Sequence, residues 1–380
     1  MAKSNNSAFE DGYSLPFEKS IARLQKQVDD LEVEQVKTGR DYASEIRQLR
    51  MQYVSLLRKT YQSLTAWETV QVARHPHRPI AGDYIDRIVK DFVALHGDRR
   101  FADDKAIRAG FGRIGTEKVA LIAQHKGHDT KEKILCNFGC AMPEGYRKAL
   151  RAMKMAEKFH LPVITLIDTK EKILCNFGCP NPEGYRKALR VMKLAEKFHL
   201  PVVCLLDTAG AYPGLGSEER GVAEAIAVNM REMSRLRTPI VCVVIGEGGS
   251  GGALGIGVGD RMAMTEFAWY SVISPEGCAA ILWRMGEKAA EAAEAMKITA
   301  KDLRALDIID DIVPEPLGGA HRDVAEAANN LERHIVRTLR ELARVPLDNL
   351  LTHRYDRWRR MGKFIRGQQQ AAQKAGATAE

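Results

Sequence analysis

No stretch of the 380-residue sequence approaches the roughly 18 uninterrupted apolar residues of a membrane span, and no membrane association is expected. The opening residues, MAKSNNSAFEDG, are polar and partly acidic, unlike a signal or transit peptide, so a soluble cytoplasmic protein of bacterial type is expected. No G-x-x-x-x-G-K-[ST] run occurs, which removes the backbone cradle that a nucleoside triphosphatase needs. Nucleic-acid readers interleave basic and aromatic residues along a folded face, no such motif is recognised, and no nucleic-acid partner is expected.

What is present is an ordinary globular balance, 45% apolar and 28% charged residues, in a chain long enough to bury a core without disulfides. The net charge of +8 is unevenly placed. From His353 to the end, seven Lys/Arg face only Asp356 and Glu380, a net +5, so much of the basic excess sits in one C-terminal tail. Residues 346–380 are assigned as a basic, disordered tail, with no periodic apolar face beyond Arg366.

One internal repeat dominates the chain. Residues 129–167 and 168–206 align without gaps over 39 positions with seven differences, at 141/180, 142/181, 152/191, 155/194, 164/203, 165/204 and 167/206. A solenoid needs three or more such units, so this is a single tandem duplication. Each copy reads as a polar loop, a helix opening at Pro143 or Pro182, and a buried strand at Val163–Ile167 or Val202–Leu206. The cysteines Cys136, Cys140, Cys175 and Cys179 have zinc-like spacing. Because one pair copies the other and no His sits beside them, buried thiols are the competing reading.

Before the repeat, Phe17, Ile21, Leu24, Val28 and Leu31 form a coiled-coil-like seam, and Ile46 to Leu64 suggest a second helix. Residues 1–80 are therefore assigned as a helical hairpin region, packed on its own domain or on a partner. A third helix is expected around 83–95, a β-hairpin around Gly115–Lys118, a helix over 218–236, a strand at 240–245 and a last helix near 324–344. Alternating helices and strands over 81–345 point to one layered α/β domain.

The richest chemical signal is the glycine segment Gly246–Gly259, which follows a buried strand and opens a short helix. Free backbone amides and a positive helix end there suit an anion or an oxyanion. Several readings compete. Gly246-x-Gly248-x-x-Gly251 with Glu266 downstream matches a dinucleotide fingerprint. Gly248-x-Ser250-x-Gly252 fits a nucleophile elbow, with Asp311 and His321 in hydrolase order. Asp207-Thr-Ala-Gly210 looks like a nucleotide switch, which fails without a phosphate loop. The remaining reading joins both glycine-bearing loops, at the ends of two buried strands, into one cleft whose amides stabilise charge on a carbonyl or enolate oxygen. That reading needs no side-chain nucleophile.

The segments DTAGAYPG at Asp207–Gly214, EERG at Glu218–Gly221, VIGEGGSGGALGIGVGD at Val244–Asp260, YSVISPEGCAAILW at Tyr270–Trp283 and PEPLGGAHR at Pro314–Arg322 carry a resemblance. With REMSRL at Arg231–Leu236 and the ARHPHRP segment, they resemble the carboxyltransferase α subunits of bacterial acetyl-CoA carboxylase over about residues 17–355. The resemblance implies a crotonase-like (ClpP/crotonase) α/β spiral of β-β-α units behind an N-terminal helical hairpin. It implies an enzyme that moves a carboxyl group from carboxybiotin to acetyl-CoA, giving malonyl-CoA, the first committed step of fatty acid synthesis. The implied partners are a β subunit in an α2β2 assembly, a biotin carboxyl carrier protein and biotin carboxylase. Biotin is attached to the carrier, since no Met-Lys-Met context occurs in this chain.

By the same resemblance, Gly251 and Gly252 supply catalytic backbone amides. Ala209, Gly210, Tyr212, Gly214, Gly248 and Gly249 line the substrate cleft, and Ser250 and Glu247 shape the loop. Two departures stand out. The family carries the loop–helix–strand unit once, and Ala209 stands where its cleft loop usually has proline. Either the insert leaves a working enzyme, or it blocks the cleft and leaves an assembly subunit. The second copy, which joins directly to Asp207, is expected in the slot beside the cleft, with the first copy extruded or wedged in as an extra strand.

Overall fold

The computed structural model describes residues 13–124, 130–136, 142–159, 161, 163–166 and 182–362. Helices α1 (Lys19–Thr38) and α2 (Ala43–Gln62) form the expected hairpin, turning at Gly39, whose φ of +68° suits glycine. Their seam packs on the chain's own domain: Leu15, Ile21, Leu57 and Tyr61 cluster with Val72 and Phe267. Buried Glu18 anchors this joint, accepting from the Tyr61 hydroxyl at 2.8 Å and pairing with Arg322. A third helix, α3 (Ala66–Ala73), starts at a Thr65–Glu68 capping box. The next, α4 (Ala81–Ile88), is shorter than expected.

The single helix expected over 83–95 is corrected to α4 followed by β1 (Lys90–Ala94), which pairs antiparallel with β2 (Ile107–Ile114). The apolar spacing of Ile85, Ile88, Val89 and Phe92 fits a helix face. However, β2 offers glycines opposite: a Cβ at Gly110 would lie 2.7 Å from the Phe92 ring. The strand lays its side chains over that gap. β2 turns into β3 (Glu117–Gln124), the expected hairpin.

The duplicated units follow. The first copy supplies α5 (Thr130–Leu135), α6 (Pro143–Lys158) and β4 (Val163–Leu166); the second supplies α7 (Pro182–Lys197) and β5 (Val202–Thr208). Equivalent small and apolar residues are buried in both helices: Ala149 and Ala188, Met153 and Met192, Ala156 and Ala195. Among the described residues the first copy is wedged in, not extruded. α6 packs on β2 and β3, Arg147 pairs with Asp98 at 2.6 Å, and Lys148 with Asp103 at 2.6 Å. Cys136 is buried, which raises its thiol pKa, as the buried-thiol reading has it; Cys140, Cys175 and Cys179 lie outside the described residues.

Beyond β5 come α8 (Leu215–Glu219), α9 (Val222–Arg235), β6 (Ile240–Gly249) and α10 (Ser250–Leu254). The helix expected over 218–236 is thus broken at Gly221, whose φ is +73°. The strand expected to stop at Ile245 runs on to Gly249, because its tail pairs with β8. β7 (Arg261–Thr265), β8 (Trp269–Ser271), α11 (Pro275–Trp283), α12 (Ala289–Met296), α13 (Ala300–Ala305), β9 (Asp311–Val313), α14 (Val324–Leu342) and α15 (Leu347–Arg360) complete the chain. The second sheet runs β5-β6-β7-β9, all parallel, with the tail of β6 also pairing β8.

Helix α15 corrects the assignment of disorder for residues 347–360 of the 346–380 tail. Its charges include Arg354, fully buried, whose fork bonds Asp260 at 2.8 and 2.7 Å and the carbonyls of Met233, Leu236 and Thr238 at 2.8 Å each. Asp260 also accepts from the Ile240 amide at 2.7 Å. A buried charge is tolerated when every donor finds a partner, so this run of arginines is a docked helix. Residues 363–380 lie outside the described residues.

The two equivalent strands of the repeat now divide one set of neighbours. β3 pairs in parallel with β4, Ala120 opposite Val163, and β5 pairs in parallel with β6, Val202 opposite Ile240. Val163 and Val202 are equivalent positions of the repeat. β4 lies alongside β5, yet among the described residues no ladder joins them: β4 closes one sheet and β5 opens the other. Every residue of β5 is buried. The seam is thus a place among the described residues where two packed strands meet without a ladder.

Because the registers match, deleting residues 129–167 leaves one strand able to bond β3 and β6 at once. The shortened chain is expected to melt about 2–5 °C higher by calorimetry; a lower or non-cooperative transition would contradict this. A pH effect is also expected. His321 is buried, stacked on His75 at 3.9 Å between centroids, and burial with nearby His75 and Arg322 pushes its pKa from 6.5 down to about 2. The unfolded chain therefore binds a proton that the folded chain refuses. Stability is fully present above about pH 6.5 and falls below it, by up to about 1.4 kcal/mol per pH unit. Urea unfolding of His321→Gln should lose that part of the slope; an unchanged slope would refute the assignment.

Candidate functional site

β5 and β6 are neighbouring parallel strands, and both glycine-bearing loops leave from their C-terminal ends. Thr208 pairs with Gly248, past a register shift after Leu206. The structure thus brings together all the site residues expected from sequence: Ala209, Gly210, Tyr212 and Gly214 after β5, Gly248 and Gly249 at the end of β6, and Gly251 and Gly252 at the start of α10. Ligands of parallel α/β sheets commonly sit at such strand ends.

The loops touch through backbone. A Cβ at Gly252 would lie 2.6 Å from the Gly210 carbonyl oxygen and 2.7 Å from the Ala211 nitrogen, and one at Gly249 would run into the Ala209 carbonyl. Only glycine allows this approach. Gly210 itself has φ +156° and is pinned by Thr208, whose hydroxyl donates to the Gly210 carbonyl at 2.9 Å and accepts from its amide at 3.2 Å. Tyr212 folds over its own turn: a Cβ at Gly214 would meet the Tyr212 ring. Tyr212 is half-buried.

Gly251 and Gly252 lie in the first turn of α10, where amides have no partner within the helix. Gly252 is buried and Gly251 half-buried. The nearest atom to a Cβ built at Gly251 is Ile226 Cδ1 at 3.3 Å, so this side of the turn is open compared with Gly252. The donor set is neutral and fixed, which suits an oxygen that gains negative charge.

The competing readings of the glycine segment separate here. Ser250 has φ +49°, a strained turn. However, Asp311 on β9 pairs with Arg337 of α14, and His321 stacks on His75, so neither is hydrogen-bonded to Ser250. The hydrolase triad is not assembled. For the dinucleotide reading, the helix after the glycines has only five residues, and Glu266 accepts from the Glu315 amide at 3.3 Å.

Several residues of the site were not singled out from sequence. Asp207, buried at the end of β5, accepts from the Glu247 amide at 3.0 Å. Arg74, at the end of α3, bonds Glu247 at 2.7 Å and pairs with Glu276 of α11. Partial burial pushes the Glu276 carboxyl up, but Arg74 more than offsets it and the pKa falls below its usual value. Tyr270 lies against Gly248, and burial pushes its hydroxyl up to about 12, so it stays neutral. Arg74 lies in the ARHPHRP segment and Asp207 opens the cleft motif; position alone would not have revealed either contact. Deeper in the fold, fully buried Arg78 bonds the Ile245 carbonyl at 2.9 Å and Glu315 at 3.0 Å, fixing β6 from behind.

Comparison with known proteins agrees with the motifs. The family described as "Acetyl co-enzyme A carboxylase carboxyltransferase-like" matches twice, over residues 14–171 and 168–362, so that each match carries one copy of the repeat. The acetyl-coenzyme A carboxylase carboxyl transferase subunit alpha of Rhodopirellula baltica is 46% identical over 93% of this chain and 98% of its own length. The subunit of the same name from Methylococcus capsulatus is 49% identical over 90% of this chain and 95% of its own, and that of Actinobacillus pleuropneumoniae 47% over 90% and 96%. A Pseudomonas malonate decarboxylase hetero-tetramer in complex with coenzyme A is a distant likeness, 15% identical with a TM-score of 0.47 over 73% of this chain and 92% of that one. With both cleft loops inside the family match, the chain belongs to the acetyl-CoA carboxylase carboxyltransferase α-subunit family, and its fold is mixed α/β behind a helical N-terminus.

Proposed function

We propose that the cleft between Asp207–Gly214 and Gly246–Gly252 is the carboxybiotin side of the carboxyltransferase, and that the amides of Gly251 and Gly252 do the electrostatic work there. The chain is a carboxyltransferase subunit by family, acting on acetyl-CoA with carboxybiotin from a separate carrier. The observation that carries the site reading is the backbone contact between the two loops, which leaves fixed first-turn amides at the ends of β5 and β6.

Carboxybiotin on the carrier supplies the activated carboxyl group. Gly251 and Gly252 donate to the oxygen on which negative charge grows as that group departs. Donors fixed in advance lower the barrier because they need no reorganisation, and one such donor is commonly worth about 10²–10³ in rate. Ala209, Gly210, Gly248 and Gly249 shape the wall, and Tyr212 and Gly214 close the outer edge. Ser250 and Glu247 shape the loop.

A subunit of this kind works in a complex with other subunits. The finer assembly belongs to the proposal: an α2β2 complex whose β subunit builds most of the acetyl-CoA site, served by the biotin carboxyl carrier protein and biotin carboxylase in the cytoplasm. Among the described residues no helix is long and apolar enough to cross a membrane.

The test is reconstitution. The purified chain is mixed with the β subunit from the same source, and malonyl-CoA-dependent carboxylation of a biotin derivative is followed, with each subunit alone as control. Activity only in the mixture is expected. A stable but inactive complex would favour the assembly-subunit reading, with the duplicated unit obstructing the cleft.

A further inference from the structure

Glu247 is the last residue of the β6 tail before the glycines, and it is held from two sides. Its backbone amide donates to Asp207 of β5 at 3.0 Å, and it pairs with Trp269 in the β6–β8 ladder. Its side chain accepts from Arg74 Nε at 2.7 Å. The other arm of the same guanidinium pairs with Glu276 in the first turn of α11, and the group sits 5.6 Å over the ring of Trp269, which is wholly buried. One arginine therefore ties α3, the β6 tail, β8 and α11 together directly behind the cleft.

Three features set this apart from an ordinary surface ion pair, which is worth little. The Arg74 and Glu247 side chains are only 30% and 13% exposed. The planar fork engages two carboxylates and an indole at once, which a lysine point charge cannot do. Glu247 is also three residues before the start of α10, with only Gly248 and Gly249 between it and Ser250. Glycines transmit a shift poorly resisted by side chains, so the carboxylate of Glu247 is the nearest handle that can fix where the first turn of α10 points.

We propose that Arg74 is a positioning residue for carboxyl transfer: by clamping Glu247 against Glu276 and Trp269 it fixes the first-turn amides of Gly251 and Gly252. The inference rests on the role proposed above for those amides. Arg74 touches no reacting atom. Without it the Glu247 carboxylate loses its cation in a half-buried site and turns toward water, and the strand tail shifts with it. A misplacement of about 1 Å at a catalytic group can cost about 100-fold in rate. Loss of transition-state alignment falls on kcat, whereas loss of uniform binding falls on KM.

The experiment uses the reconstituted complex of full-length chains and compares Arg74→Ala, Arg74→Lys, Glu247→Gln and the Arg74→Ala/Glu247→Gln double variant. Arg74→Ala is expected to lower kcat roughly 10- to 100-fold, with KM for malonyl-CoA and the biotin derivative within about twofold of the parent. Arg74→Lys should recover part of the loss. The double variant should be no slower than Arg74→Ala, because both changes break one contact. The inference is overturned if Arg74→Ala keeps kcat within about twofold, if the loss lies in KM, or if the two losses multiply. Should Arg74→Ala fail to assemble, the near-isosteric Glu247→Gln decides: a kcat loss at constant KM supports the clamp, and an unchanged kcat refutes it. An active parent complex with unaffected variants counts against this inference alone, whereas an inactive parent complex overturns the carboxyltransferase site reading and the clamp with it.

Discussion

The site depends on two backbones lying closer than any side chain permits. Gly249 and Gly252 rest on Ala209, Gly210 and Ala211 with no space for a Cβ. That contact exists because β5 and β6 are adjacent and parallel, so their C-terminal loops emerge side by side. Everything around it serves to hold it. Arg78 and Glu315 fix β6 from behind, Asp207 and Arg74 hold Glu247 at its tail, and Arg354 locks the other end of the strand through Asp260. A cleft made of amides gains no precision from its own side chains, so precision has to come from strands and buried ion pairs.

The duplication enters this arrangement through β5 alone. The second copy supplies β5 and leads straight into the cleft loop, and the first copy occupies the edge of the other sheet. Both copies bury the same helix face, so each satisfies the hydrophobic demand of its own site. The conflict is confined to the strand edges that face each other, β4 and β5. Two claimants for one slot is the kind of frustration natural folds avoid, and here it is resolved by letting each claimant keep one of the two native-like edges.

The helical hairpin, the repeat and both cleft loops were legible in the sequence, because each is written in consecutive residues: a heptad-like seam, a 39-residue period, long glycine motifs. Other features depend on contacts that no local pattern reveals. β1 carries the spacing of a helix face, and only the glycines of β2, some twenty residues away, make it a strand. The arginines of α15 look like a solvated run until Asp260, 94 residues earlier, takes one of them into the core. Arg74 lies 173 residues from Glu247 and 202 from Glu276. Buried charge networks of this kind join residues by chemistry rather than by sequence spacing, so a period-based reading passes over them.

On the role proposed for the Gly251 and Gly252 amides, the two loops must touch through glycine. Single-turnover carboxyl transfer by the reconstituted complex, comparing Gly252→Ala with Gly251→Ala, tests it most directly. At Gly252 the methyl group would push the loops apart, and a loss of about 100-fold or more is expected. At Gly251, where it meets only the end of Ile226, the rate should stay within about threefold. A Gly252→Ala complex that transfers carboxyl groups at the parent rate would contradict the account.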